Sequence, residues 1–180
     1  MNDRFHYIPD WNELWCFLSR LEEPYKIKKS STIFVGSMSD ICYWKDEWIF
    51  DVINVCCNNP QHTFLFLTKH PKIYISFTFP SNCILGITIT GDMQYANIEH
   101  QKLIQMDTVY FVSNNDIFCS IEPLLGNIPK TKSYNKYKNV YVGAMTGPNA
   151  IKPEHEWIQS VIDNILKEKI YWKDNIRKYL

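Results

Sequence analysis

Short apolar runs rich in β-branched and aromatic residues recur along the chain, and each stops at a polar or glycine-containing turn. Seven are recognisable, at residues 32–35, 63–67, 83–89, 109–112, 117–121, 140–142 and 170–172, and five of them lead into sequence with helix-like apolar spacing. Alternating strand and helix signals predict parallel βα units, because a parallel crossover needs an intervening element that covers the sheet face. The expected fold class is therefore α/β. In such folds the loops after the strands build the site, so the residues that follow each run are the place to look for chemistry.

The helical periodicities are uneven. Residues 10–21 read as an amphipathic helix, with Asp10 and Glu13 as a capping-box-like start, Trp11, Leu14, Trp15 and Leu18 at helical spacing, and Pro24 as its end. Lys26, Lys28 and Lys29 follow as a basic linker. A second helix is expected over 45–57, with Trp48, Ile49, Val52, Ile53 and Cys56 on one face and Asn58-Asn59-Pro60 stopping it. A short third follows Pro71, and a fourth covers 97–106. The fifth starts at Pro153, with Glu154 and Glu156 near its positive end, Lys167 and Lys169 near its negative end, and Trp157, Val161, Ile162, Ile165 and Leu166 as its buried stripe. Residues 129–139, with four lysines, two tyrosines and no apolar period, read as a loop.

Length changes this picture little: 180 residues form one domain that buries roughly 70% of its unfolded surface, divided into an amino-terminal helix and linker (1–31) and a βα body (32–175). Acidic and basic residues balance at 19 each, so no global field recruits nucleic acid or an anionic membrane. Residues 1–9 lack a signal-peptide core and no run approaches the roughly 18 apolar residues of a membrane span, which predicts a cytoplasmic chain. The six cysteines (Cys16, Cys42, Cys56, Cys57, Cys83, Cys119) show neither the paired spacing of a zinc site nor the CxxxCxxC run of an iron–sulfur site, so reduced thiols are expected.

If the strands are parallel, the groups after them converge on one rim: Ser37, Ser39 and Asp40; Thr68, Lys69 and His70; Thr90, Gly91 and Asp92; Ser120, Glu122 and Pro123; Gly143, Thr146, Gly147 and Asn149; Lys173, Asp174 and Asn175. Glu122 is the most pointed, since a carboxylate directly after an apolar strand is costly to desolvate unless paired. It either forms an ion pair with Lys69 or Lys173 or accepts a hydrogen bond from a ligand. Lys69 and Lys173 either bind an anion as point charges or are solvated at the rim. His70, before a proline, reads as a turn residue sooner than a general base, and His62 caps or packs at a strand start. The two glycines of Gly143-Ala144-Met145-Thr146-Gly147-Pro148 permit close backbone approach to a ligand. The expected ligand-binding set is Ser37, Asp40, Thr68, Lys69, Thr90, Glu122, Gly143, Gly147 and Lys173, with no catalytic residue and no metal ligand assigned.

Five ordered stretches, 33–40 (IFVGSMSD), 61–69 (QHTFLFLTK), 85–90 (LGITIT), 120–126 (SIEPLLG) and 142–150 (VGAMTGPNA), together resemble the bacteriophage gp thirty-seven and gp sixty-eight family, a domain of unknown function related to radical S-adenosylmethionine enzymes. The resemblance spans about residues 18–174 and implies a TIM-like βα barrel, complete or incomplete. It also implies an amino-terminal three-cysteine motif that ligates a [4Fe-4S] cluster and leaves one iron for S-adenosylmethionine. About 31 residues precede the first strand here and Cys16 is their one cysteine, so no cluster or other cofactor is expected for this chain. Where the family reads Gly-Gly-Glu-Ser-Gly, this chain has Gly143-Ala144-Met145-Thr146-Gly147, which replaces a carboxylate by a thioether. Ser37, Asp40, Lys69, Glu122 and the Trp172-Lys173 ending match the family.

Three readings of function stay open. One is a truncated or split, phage-derived family member, inactive alone and completed by a cysteine-bearing partner segment. Another is a cluster-independent enzyme or ligand-binding protein that uses the rim, with Asp40 and Glu122 as carboxylates and Lys69 and Lys173 as anion binders. The third is an interaction protein, suggested by six tryptophans, eleven tyrosines and ten phenylalanines and by the edge strand that an incomplete barrel exposes to pairing or homodimerisation. Nucleic acid is disfavoured as a partner, because the chain offers no basic face with interleaved aromatics and the loop from Lys130 to Lys138 is the only candidate.

Overall fold

A computed structural model describes residues 14–180. Six strands, β1 (Thr32–Val35), β2 (Thr63–Thr68), β3 (Cys83–Ile89), β4 (Ile117–Ile121), β5 (Asn139–Val142) and β6 (Ile170–Trp172), form one sheet in the order β1-β2-β3-β4-β5-β6. Every neighbouring pair is parallel. The sheet curls into a half-barrel. The α/β reading with an incomplete barrel therefore holds.

The connections carry α1 (Glu23–Lys26), α2 (Asp46–Asn58), α3 (Ala96–Ser113), α4 (His155–Asn164) and α5 (Asp174–Arg177), together with 3₁₀ turns. Ile49, Ile53 and Cys56 of α2, Leu103, Met106 and Val109 of α3, and Ile158 and Val161 of α4 share one core with alternate strand residues. Those strand residues include Phe64 and Phe66, Leu85, Ile87 and Ile89, Ile117, Cys119 and Ile121, and Val140 and Val142, which the register places on one face. The helices thus pack on the convex face. Laterally paired Phe34, Leu65 and Ile84, Gly86 and Phe118, and Thr88, Ser120, Tyr141 and Tyr171 occupy the concave face, and none of them belongs to that core.

Several expectations fail for identifiable reasons. Residues 109–112 are not a strand but the last turn of α3, which runs to Ser113 and is closed by Asn114 in the left-handed conformation (φ 57°). Leu103, Met106 and Val109 supply a helical stripe, while Tyr110, Phe111 and Val112 stay exposed, so packing of the stripe overrides β-propensity. Part of the helix read over 10–21 lies outside the described residues. Within them, residues 14–17 are irregular and Leu18–Glu22 is a 3₁₀ turn. Pro24 does not end a helix; it sits in the first turn of α1, where its missing amide costs nothing. The segment after Pro71 is 3₁₀, over Pro71–Ser76, and the Tyr74 hydroxyl pins it by donating to the Gly86 carbonyl at 3.0 Å.

In α4 the buried positions are Ile158 and Val161, followed by Ile165, while Ile162 and Leu166 face solvent. Lys167 and Lys169 form a separate turn, and the Lys169 ammonium donates to the carbonyls of Asn135 and Tyr137. Residues 129–138 are loop-like as read, apart from the 3₁₀ turn Lys132–Lys136, and around that turn Tyr134 and Tyr137 are fully buried. His62 is buried, its Nδ1 accepting from the Ser31 amide at 3.2 Å, which leaves Nε2–H to donate to the Pro24 carbonyl at 3.1 Å. The cysteines are all free thiols: Cys56, Cys83 and Cys119 are buried, Cys16 and Cys42 are half-buried and Cys57 is exposed. No helix among the described residues is long and apolar enough to cross a membrane.

Candidate functional site

The carboxyl ends of the strands gather most of the expected rim. Ladder bonds from the Gly143 amide to the Ile121 carbonyl (3.0 Å) and from the Lys173 amide to the Val142 carbonyl (2.9 Å) extend the pairing one residue beyond β5 and β6. By strand alternation Gly143 and Lys173 then stand on the concave face, above Tyr141 and Tyr171. The Lys173 ammonium pairs with Glu122 Oε2 across β5. Gly143 is what makes room, since a Cβ there would stand 2.6 Å from Glu122 Oε1. Both members of the pair keep access to solvent, with side chains 44% and 31% exposed for Lys173 and Glu122. The ion-pair alternative for Glu122 is realised with Lys173, and Lys69 takes no part in it.

Below the pair, the concave wall is aromatic. The Phe118 ring lies over Gly86, where an added Cβ would come within 2.3 Å of it. It meets Tyr141 edge to face at 5.9 Å, and Tyr141 meets Tyr171 at 5.4 Å. Thr88 and Ser120 lie beside each other in register, adding hydroxyls to the same face. The outer members remain open, Phe34 at 47% and Tyr171 at 52% exposure.

On the β1–β2 side, Asp40 organises the rim. Its carboxylate accepts from the Thr68 hydroxyl (2.5 Å), the Lys69 amide (2.7 Å) and the Cys42 amide (3.1 Å). Burial alone would raise its pKa, but these hydrogen bonds outweigh burial and hold the carboxyl below its ordinary value. Burial, reinforced by Asp40, pushes the Cys42 thiol up to about 11. Asp40 and Thr68 therefore serve as a bracket that aims Lys69.

Thr90 and Gly91 are held by a residue that the sequence reading missed. Glu99, in the first turn of α3 and only 2% exposed, accepts from the Thr90 amide (2.5 Å) and hydroxyl (2.8 Å) and from the Gly91 amide (2.9 Å). The signal available was an acidic residue in a helix's first turn shortly after a strand-end Thr-Gly. Gly91 (φ +74°) and Gly126 were also needed for close approach, because a Cβ on either would fall within 2.3 Å of the other's carbonyl oxygen. The chain between passes through a cis Glu122–Pro123 bond, after which the Leu124 amide donates to the Gly143 carbonyl at 2.9 Å.

Two expected positions are not drawn in. Ser37 is exposed on the turn after β1 and makes no hydrogen bond among the described residues. Gly147 adopts φ +110° but stands clear, with no atom within 4 Å of a Cβ built on it. Met145 and Thr146 are exposed, and Asn175 secures the turn by bonding both backbone groups of Ala144.

Among the described residues, no three His, Cys, Asp or Glu side chains are grouped to hold a metal ion. A [4Fe-4S] cluster with an open iron needs three thiolates in one place, so these residues do not fit one. No curated protein and no solved structure matches the chain. Residues 6–174 match the model of a family described as a protein of unknown function (DUF5131), and the chain belongs to that family.

Proposed function

We propose that this chain is a cluster-free, phage-derived member of the radical-S-adenosylmethionine-like barrels, and that it works as a binding protein for a zwitterionic small molecule with a planar body. The observation that carries this reading is the half-exposed Glu122–Lys173 pair at the head of an aromatic wall. An amino-acid head group carries the opposite charges: its ammonium matches Glu122 and its carboxylate matches Lys173. Inserting it exchanges one ion pair for two charge-assisted contacts, so little desolvation is left uncompensated. Tyr141 and Tyr171 then offer ring faces to an apolar or cationic body. S-adenosylmethionine has this chemistry, with a sulfonium beside the head group and an adenine beyond it. No step through an iron–sulfur cluster is part of the reading.

The test is calorimetric titration of iron-free protein with S-adenosylmethionine, S-adenosylhomocysteine and methionine. Micromolar binding of the adenosyl compounds is expected, weakened at least about tenfold in Glu122→Gln and in Lys173→Met, a loss of about 1.4 kcal/mol or more. No binding at millimolar ligand, or unchanged affinity in both variants, would sink the proposal. A second reading draws on the sheet edges: among the described residues β1 and β6 pair on one side only, where a closed barrel of this class has eight strands. On that reading a partner segment bearing cysteines, or a second copy, completes the barrel. Light scattering of the purified chain, alone and with candidate segments, separates the two.

A further inference from the structure

On the helical side of the rim a groove of about 600 Å³ lies along α3 and the turn Pro71–Ser76. Lys69, Lys72 and Lys102 line it together with His70, and no carboxylate does. Two acids outside the lining act on Lys102, and both are turned toward backbone and hydroxyl donors. Asp40 is bound by Thr68, Lys69 and Cys42, and Glu99 by Thr90 and Gly91. None of the three lysines enters an ion pair among the described residues. The loop from Lys130 to Lys138 offers less, since Lys136 and Lys138 are paired with Asp107 and Asp116.

Clustered like charges in a concavity repel one another and focus a positive potential outward. Lys102 registers the strain: burial lowers its pKa and Lys69 lowers it further, while Glu99 and Asp40 offset only part of this. An anion in the groove relieves both effects. Beside the lysines the rings of Tyr43 and His70 meet edge to face at 5.9 Å, with Tyr43 61% exposed. Gln101 and Gln105, four residues apart on α3, add amide donors and acceptors to the opposite wall.

We propose that this groove binds a nucleotide, its phosphate held by Lys69, Lys72 and Lys102 and its base laid against Tyr43 and His70. The site is separate from the Glu122–Lys173 mouth and stands whether or not that mouth takes a zwitterion. Free nucleotides and the nucleotides of a single strand share this chemistry, and stacking on an exposed ring is indifferent to base identity.

Titrations of the full chain with AMP, inorganic pyrophosphate and a six-residue oligothymidylate, each at low and raised salt, test it. AMP is expected to bind, with affinity falling as salt rises. Lys72→Met combined with Lys102→Met is expected to weaken both AMP and pyrophosphate by about tenfold or more. Tyr43→Ala is expected to weaken AMP and leave pyrophosphate unchanged. Tighter binding of the oligomer than of AMP makes a strand the source, and equal binding makes it the free nucleotide. No AMP or oligomer binding at millimolar concentration overturns the proposal, as does a Tyr43→Ala variant with undiminished AMP affinity. Lys72 and Tyr43 are exposed, so thermal melts of Lys72→Met and Tyr43→Ala are expected to match wild type. The Lys72→Met single variant is also expected to weaken AMP and pyrophosphate, which keeps the test interpretable where half-buried Lys102 affects folding.

Discussion

Asp40 satisfies three donors from two loops, the Thr68 hydroxyl and the amides of Lys69 and Cys42, and so fixes where the rim begins. Asp40→Asn replaces one acceptor oxygen by an amide that cannot accept, and a loss of about 1–3 kcal/mol is expected in urea melts at pH 7. The pH dependence has a definite sign. The folded carboxyl titrates below its ordinary value, so its contribution is complete above the unfolded pKa of about 3.9 and disappears as pH falls through the lower folded value. The gap between wild type and variant is therefore expected to be flat near neutrality and to narrow below about pH 4; a gap independent of pH would show that Asp40 acts through shape alone. Thr68 and Glu122 were legible as rim residues because each directly follows an apolar run, and Asp40 because it closes the polar turn after the first. Glu99 carried only the weak signal of an acid in a helix's first turn after a strand-end Thr-Gly, a pattern that solvated helix starts share. The basic groove was hidden for a related reason: its lysines come from the β2 loop, the following 3₁₀ turn and α3, and none stands in a basic run.

At the scale of elements, the central strands were the easiest to read. β3 and β4 are buried along nearly their whole length, and their sequence is apolar but for Gly86, Thr88 and Ser120 on the concave face. Residues 109–112 carried the same composition and belong to a helix, because only the spacing back to Met106 and Leu103 distinguishes the two. Within β3, Gly86 is the one position without a side chain, and the Phe118 ring of β4 fills the space. Gly86→Ala is expected to push that ring from the wall at a cost of about 1–3 kcal/mol, measured by chemical denaturation. If the aromatic wall carries a ligand body, the same substitution weakens binding of adenosyl compounds while leaving nucleotide binding in the groove intact. A neutral Gly86→Ala would mean that Phe118 has another place to go.

For the whole molecule, protection falls from the middle of the sheet to its edges. Alternate residues of β1 are exposed and β6 has no fully buried residue, whereas every residue of β4 is buried. Amide hydrogen exchange is expected to be slowest in β3 and β4, at the rate set by global unfolding, and fastest in β1 and β6 through local opening. Uniform protection across all six strands would contradict this and point to a covered edge, as the completed-barrel reading requires.

The strand order has one more consequence. Because each strand lies beside the strand that precedes it in the chain, the sheet can be laid down in the order in which a ribosome releases it. Each arriving strand finds its template already in place, and no segment made early has to wait for one made late. Growth of this kind is indifferent to how many units are added, so a further βα unit can join either edge without disturbing those already formed.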